Sequence, residues 1–183
     1  MKKRCEWGEH ESMVEYHDKE WGVPVHDDIK LFEMLILEGA QAGLSWSKIL
    51  KRRKTYRKAF DNFNPVKISK YTDKDVKRLL ADEWIIRNKL KVSAAINNAK
   101  RFLEVKKEFG SFNKYIWSFV NHKPIVNKRK KMSDIPATTS ISDKMSKDLK
   151  KRGFGFVGST ICYAFMQAVG MVNDHIIYCF RYK

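Results

Sequence analysis

The sequence predicts an all-α protein that forms one compact helical domain over residues 1–183. Residues that begin or end helices recur along the chain, and the apolar residues between them repeat at helical spacing. Alternating strand-like patterns are nearly absent, and the joins between predicted helices are short. No internal repeat or long linker divides the chain. A hydrophobic content of 43% is enough for a real core, which excludes disorder as the main state.

Capping residues and turn formers divide the first half of the chain into short helices. Asp, Ser and Thr side chains satisfy the free amides of a first helical turn, and proline tolerates the first position. The predicted starts are Asp28 for a helix that ends at Gly43, Ser45 for a helix from Trp46 to Phe60, Pro65, and Thr72 with Asp75 as a capping box.

The second half begins with the longest predicted helix, from about Asn88 to Phe109. Residues 121–139 are the least regular part and predict a surface loop that carries the run Lys128–Lys131. Residues 153–173 hold no charge, but glycines and polar residues interrupt them, so a buried core helix fits better than a membrane span. The later predicted helix starts are Ser111, Ser142 (to Gly153), Ser159 (to Gly170) and Asp174 (a final turn or short helix).

The formal net charge of +16 favours a polyanionic partner, and nucleic acid is the leading class. The alternative is a lysine-rich surface without a specific partner. An anionic membrane is a weaker candidate, because no basic amphipathic helix ends in exposed aromatic residues. Three cysteines are too few for a disulfide scaffold, and no signal-peptide pattern precedes them, so we expect a reducing cytoplasm.

Four residues at the two ends of the chain have the types and spacing of metal ligands. His175 and Cys179 are four apart, which places them on one face of a predicted helix, and Cys5 with His17 supplies a second pair. Four such ligands close a tetrahedral site, which is typical of structural zinc. The alternative is that these are ordinary core or surface residues. The other candidate ligands are His10, His26 and His122.

An acidic residue interrupts an apolar stripe of the first long helix. Glu38 falls in line with Leu31 and Leu35, and burial of a carboxylate costs several kcal/mol unless it is paired. That cost indicates either a functional pocket or a structural Arg or Lys partner.

Aromatic residues are concentrated near the amino terminus, at Trp7, Tyr16, Trp21 and Trp46. Aromatic faces stack on nucleobases and attract cations, although most tryptophans are simply core residues. Together with Glu38 and the basic charge, they indicate a base-binding pocket.

Several strings in the sequence resemble those of the 3-methyladenine DNA glycosylase I family, and the resemblance spans the whole chain. The most specific are residues 16–24 (YHDKEWGVP), 37–46 (LEGAQAGLSW), 117–122 (WSFVNH) and 172–175 (VNDH). The resemblance implies a compact all-helical fold of the helix-hairpin-helix glycosylase type. A zinc site then joins the amino- and carboxyl-terminal segments.

The resemblance also implies roles for individual residues. One structural zinc per chain is held by Cys5, His17, His175 and Cys179, and Cys162 is a small buried residue. The base-binding acid is Glu38, its pocket aromatics are Tyr16 and Trp46, and Trp7 and Trp21 line or support the pocket. Leu44, next to Gly43, resembles the residue that fills the gap left by the extruded base.

The expected DNA contacts depart from the superfamily pattern at one place. The superfamily hairpin usually has glycines that let backbone amides approach a phosphate, whereas residues 83–88 have none. We therefore expect positive side chains to compensate, at Arg87, Lys89 and Lys91.

The implied function is hydrolysis of the N-glycosidic bond of 3-methyladenine in alkylated double-stranded DNA. The base is flipped out, released as free 3-methyladenine, and leaves an abasic site. We expect a monomer without membrane contact, in a bacterial-type cytoplasm with access to chromosomal DNA. Two rival classes are a zinc-stapled DNA-binding module without activity and a catalytic zinc protein.

Overall fold

The computed structural model describes residues 2–182, and this part of the chain is mainly helical, as predicted. Two very short strands form the sheet content of the described residues, and they pair in parallel. The helices are α1 Glu11–Lys19, α2 Asp28–Gln41, α3 Trp46–Ala59, α4 Pro65–Ile68, α5 Asp73–Ala81, α6 Lys89–Phe109, α7 Phe112–Ser118, α8 Ser140–Lys151 and α9 Ser159–Ala168. The strands are β1 Ile125–Val126 and β2 Val172–Asn173, and the 3-10 turns are Glu6–Glu9, Asp61–Phe63 and Met132–Asp134.

Most predicted helix boundaries are confirmed. The chain enters α3 at Ser45, and Thr72 with Asp75 forms the capping box of α5. The long helix α6 ends at Gly110, whose φ of 83° lies in the left-handed region that glycine adopts without strain. Ser111 caps α7 through a hydrogen bond from the amide of Lys114.

Two predicted caps are wrong by a few residues. The cap of α2 is Asp27, whose carboxylate accepts from the Lys30 amide at 2.9 Å, whereas Asp28 accepts from the amide of Asn113 in α7. The cap of α8 is Thr139, and Ser142 is the reciprocal third residue of its capping box. In both cases neighbouring residues have the same capping chemistry, and the tertiary contact selects between them.

The final segment from Asp174, predicted as a turn or short helix, forms turns within residues 177–181 and no helix up to residue 182. Instead, β2 pairs with β1, and the amide of Ile177 donates to the carbonyl of Arg129 at 2.8 Å. This pairing holds the backbone extended, so His175 and Cys179 do not share a helix face. The segment 121–139, predicted to be only a surface loop, supplies β1 and the Met132–Asp134 turn.

The core is built around α2, which is buried from Leu31 to Ala40 and packs against α3, α6, α7 and α9. Helix α9 is the predicted apolar core helix, and Cys162 is buried within it. In the described residues no helix combines the length and apolarity that a membrane crossing needs. Because α2 is central, an acidic residue between Leu31 and Ala40 enters the protein interior.

Candidate functional site

Helix α2 carries two buried acidic residues with different surroundings. Glu33 receives the guanidinium groups of Arg53 and Arg57, at 2.6 and 2.9 Å. Glu38, five residues further on, has no hydrogen bond or ion pair to any residue between positions 2 and 182. The hypothesis that the buried acid has a structural arginine partner is therefore correct for Glu33 and wrong for Glu38.

The Glu38 carboxyl group is destabilised in its charged form. The residue is 3% exposed, and burial raises its pKa from 4.5 to about 8. Desolvation disfavours the carboxylate, and no nearby cation offsets it. A strongly raised pKa in an unpaired acidic residue that lines a cavity is typical of a functional site.

The cavity beside Glu38 has a volume of about 470 Å³ and is walled by aromatic residues. All four aromatic residues predicted from the sequence line it. Trp7 and Trp21 meet edge to face with ring centroids 5.0 Å apart, and Tyr16 and Trp46 lie 5.5 Å apart. The predicted group of one acid and four aromatic rings is therefore brought together in space.

The sequence analysis missed several residues of the cavity wall. Met132 and Ile135 come from the segment after β1, and Gln167 comes from α9. No periodicity marks Met132, Ile135 and Gln167, because each lies far along the chain from Glu38. The missed residues are Met13, Gln41, Met132, Ile135, Ala164 and Gln167.

The turn between α2 and α3 places Leu44 at a fixed position near this cavity. Gly43 has a φ of 75°, and the Gln41 side chain donates to the Leu44 carbonyl at 3.3 Å. Lys91 on α6 donates to the carbonyls of Ala40 and Ala42 at 2.8 and 2.7 Å. These bonds satisfy the carboxyl-terminal end of α2 and use two of the three donors of the Lys91 ammonium group.

The predicted hairpin joins α5 to α6 through residues 82–88. The amide of Trp84 donates to the Asp82 carboxylate at 2.9 Å, and the amide of Ile86 donates to the Tyr56 hydroxyl at 3.0 Å. Both amides are already bonded to groups of the protein itself, the Trp84 amide at the exposed surface and the Ile86 amide in a partly buried bond. Arg87 and Lys89 are exposed beside them.

The hairpin also exposes large apolar side chains that the sequence analysis did not single out. Trp84 is 62% exposed, and Leu90 at the start of α6 is 72% exposed. Both flank the positive side chains of the hairpin.

A second cluster joins the two ends of the chain. The ligand atoms of Cys5, His17 and Cys179 lie within 4.8 Å of one another, and all three residues are buried. The Cys179 sulfur lies 3.5 Å from Nε2 of His17. The other ring nitrogen, Nδ1, is 2.8 Å from the Asp18 carboxylate, which leaves Nε2 to face the thiols. This arrangement is a possible metal-binding group.

His175 lies against this cluster with an unused nitrogen. Its ring meets that of His17 edge to face at 5.0 Å, and its Nδ1 is 2.8 Å from the Asn173 side-chain oxygen. Its Nε2 is buried and has no hydrogen-bond partner among the described residues. A buried nitrogen of this kind is costly unless a ligand occupies it. The rival ligands His10, His26 and His122 are exposed and outside the cluster.

The histidines of this cluster also support the aromatic cavity. The Trp7 ring packs on His17 at 5.1 Å, and the Trp21 ring packs on His175 at 4.6 Å. Tyr16 and His17 are neighbours on α1, so the cluster and the cavity share one wall.

Comparison with known proteins identifies close relatives. The family described as methyladenine glycosylase matches residues 7–182. DNA-3-methyladenine glycosylase 1 of Escherichia coli (strain K12) is 51% identical over 98% of this chain and 97% of its own length. A crystal structure of 3-methyladenine DNA glycosylase I superposes with a TM-score of 0.96 at 48% identity, covering 99% of this chain and 100% of the other. A variant of such an enzyme in complex with 3-methyladenine has a TM-score of 0.95 at 35% identity, covering 98% and 97%.

Proposed function

The chain belongs to the methyladenine glycosylase family, and on that premise we propose that it excises 3-methyladenine from alkylated double-stranded DNA. The reaction is hydrolysis of the N-glycosidic bond, which releases the free base and leaves an abasic site. It is the first step of base excision repair. The observation that carries the proposal is the unpaired, buried Glu38 in a cavity with aromatic walls.

This cavity selects its base by charge. Adenine methylated at N3 is cationic within the nucleoside, whereas normal adenine is neutral. Aromatic faces such as those of Tyr16 and Trp46 attract a cationic ring, and Glu38 accepts a hydrogen bond from its exocyclic amine. Trp7 and Trp21 complete the wall.

Arrival of the cationic base changes the protonation of Glu38. In the empty cavity its pKa of about 8 keeps the carboxyl mainly protonated at neutral pH. A positive ring beside it favours the carboxylate, because an opposite charge lowers a carboxyl pKa. Glu38 then acts through recognition and electrostatic stabilisation. The cationic leaving group already weakens the glycosidic bond, so water replaces the base at the sugar carbon with less acid catalysis than a neutral base needs.

The DNA is held by side chains around the cavity. Leu44, on its braced turn after Gly43, fills the gap that the flipped base leaves in the duplex. Arg87 and Lys89 on the hairpin contact phosphates, and the net charge of +16 speeds the encounter with DNA. The enzyme acts as a monomer, and the residues that hold the base and the DNA belong to a single glycosylase domain.

The metal-binding group is a structural zinc site with four ligands, Cys5, His17, His175 and Cys179. Two thiols and two imidazoles are the donor set that zinc prefers, and the unpartnered Nε2 of His175 supplies the fourth position. Bound there, zinc cross-links the two ends of the chain. With four protein ligands no position is left for a reacting water, which argues against the catalytic-zinc reading.

Chromatography of the bases released from methylated duplex DNA tests this function. We expect release of free 3-methyladenine and a matching number of abasic sites. Binding of the same DNA without release of any base would support the rival reading, a DNA-binding module, and would overturn the proposal.

A further inference from the structure

The carboxylate of Asp174, next to β2, is fully buried and has an unusually complete set of donors. Its Oδ1 accepts from two side chains of the segment after β1, and its Oδ2 accepts from two side chains of α9. The donors are Asn127 Nδ2 at 2.8 Å, Arg129 Nε at 3.0 Å, the Tyr163 hydroxyl, and Gln167 Nε2 at 2.9 Å. Arg129 supplies the positive charge that stabilises a buried carboxylate.

The Asp174 carboxylate fixes the orientation of the Gln167 side-chain amide. All four of these groups donate to the Asp174 oxygens, and the Gln167 side chain presents its NH2 group to Oδ2. The carbonyl oxygen Oε1 is bonded to the same carbon and faces away from Asp174. That oxygen has no hydrogen-bond partner among the described residues.

Gln167 lines the same cavity as Glu38. Helices α9 and α2, which carry them, pack against each other. The other cavity glutamine, Gln41, uses its amide nitrogen on the Leu44 carbonyl at 3.3 Å. The two glutamines of the cavity therefore have different partners. Asp174 orients the Gln167 side chain, whereas the Gln41 side chain bonds to the turn that carries Leu44.

We propose that Gln167 is a specificity-determining residue whose Oε1 is a second acceptor for the exocyclic amine of the flipped base, with Asp174 as its positioning residue. The proposal rests on the function proposed above. The amine of an adenine carries two hydrogens, one for Glu38 and one for Gln167.

Guanines have the opposite chemistry at the same place on the ring. They carry a carbonyl oxygen where adenine carries its amine, so two fixed acceptors would face another acceptor. Such a contact leaves buried polar groups unpaired, which discriminates far better than shape alone. The site therefore selects alkylated 6-aminopurines over alkylated 6-oxopurines.

The test is a ratio measured within a single sample. Duplex DNA treated with a methylating agent contains both 3-methyladenine and 3-methylguanine, and single-turnover release of the two bases gives a ratio independent of the active fraction. Gln167→Met removes the acceptor at similar length and is expected to lower the ratio about tenfold, which corresponds to about 1.4 kcal/mol.

Two further variants separate recognition from structural support. Gln167→Glu keeps an acceptor toward the base, because its protonated acid group donates to Asp174, so the ratio is expected to stay near the wild-type value even if the melting temperature falls. Gln41→Met perturbs the Leu44 turn equally for both bases, so it is expected to lower both rates and keep the ratio.

The outcomes are distinct. A ratio unchanged in Gln167→Met, or lowered equally in Gln167→Glu, would overturn the proposal while leaving the proposed function intact. Should Gln167→Met be too unstable to assay, a ratio retained in Gln167→Glu supports the proposal and a lost one refutes it. Absence of 3-methyladenine release by the wild type would instead refute the proposed function itself.

Discussion

Replacement of Glu38 by glutamine changes the charge of the candidate site while keeping its shape. In the folded protein, burial raises the Glu38 pKa from 4.5 to about 8, and at about 1.36 kcal/mol per pKa unit this amounts to about 5 kcal/mol once the group is ionised. The carboxylate is therefore a liability to the empty fold. Glu38→Gln is expected to keep or raise the melting temperature.

The sign of the pH dependence follows from the raised pKa. A group whose folded pKa exceeds its unfolded pKa contributes fully to stability below the unfolded value and loses this contribution as pH rises through the folded value. The wild type should thus lose stability between pH 4.5 and about pH 8, and Glu38→Gln should lack this loss. The gap in melting temperature between the two proteins should widen across that range.

Activity should respond in the opposite direction. Glu38→Gln replaces a charge-assisted hydrogen bond, worth roughly 1.5 to 3 kcal/mol, with a neutral one beside a cationic ring. If the full interaction acts in the transition state, excision falls by about one to two orders of magnitude, and Glu38→Ala falls further. Binding to undamaged DNA should be nearly unchanged, because the cavity is empty in that complex.

Single-turnover release of 3-methyladenine, measured beside melting curves across this pH range, tests the reasoning. Glu33→Gln is the matched control on the same helix, and it should lower stability because it leaves Arg53 and Arg57 without their buried carboxylate. Excision by Glu38→Gln at the wild-type rate, or unfolding of both Glu38 variants at ordinary temperature, would make Glu38 a structural acid and refute the assignment.

Three further predictions concern the metal group, the DNA contacts and the end of α2. Cys179→Ala should abolish zinc binding and lower the melting temperature without unfolding the whole core, whereas the control Cys162→Ala should keep one zinc per chain. Metal analysis of the purified proteins measures this. A wild type purified without chelator that holds no zinc would contradict the site. The affinity for undamaged duplex DNA should fall steeply as the salt concentration rises. The double variant Arg87→Gln, Lys89→Gln should reduce the slope of log affinity against log salt concentration by about 2. An affinity that does not change with salt would refute the electrostatic interpretation. Lys91→Met should lower the free energy of unfolding by roughly 1 to 3 kcal/mol, because two carbonyls at the end of α2 lose their hydrogen-bond donor. Denaturant titration measures this change. An unchanged free energy would show that water replaces the Lys91 ammonium group at these carbonyls.

The helices themselves could be predicted from the sequence because their signals are local. Thr72 and Asp75 lie three residues apart and bond to each other's backbone, so the capping box of α5 needs no other part of the chain. Gly110 ends α6 for an equally local reason, its φ of 83°. The acid in the apolar stripe was also visible, since helical spacing places Glu38 in line with Leu31.

Only the tertiary structure decided what these residues face. Glu33 and Glu38 are both buried on α2, but arginines of α3 reach Glu33 alone, and that difference makes Glu38 the free acid. Pairing of β2 with β1, followed by turns rather than a short helix, brings Cys179 to His17 from the opposite end of the chain. Local propensity depends on neighbours a few residues away, whereas burial, pairing and the orientation of side chains such as Gln167 depend on segments that meet only when the core closes.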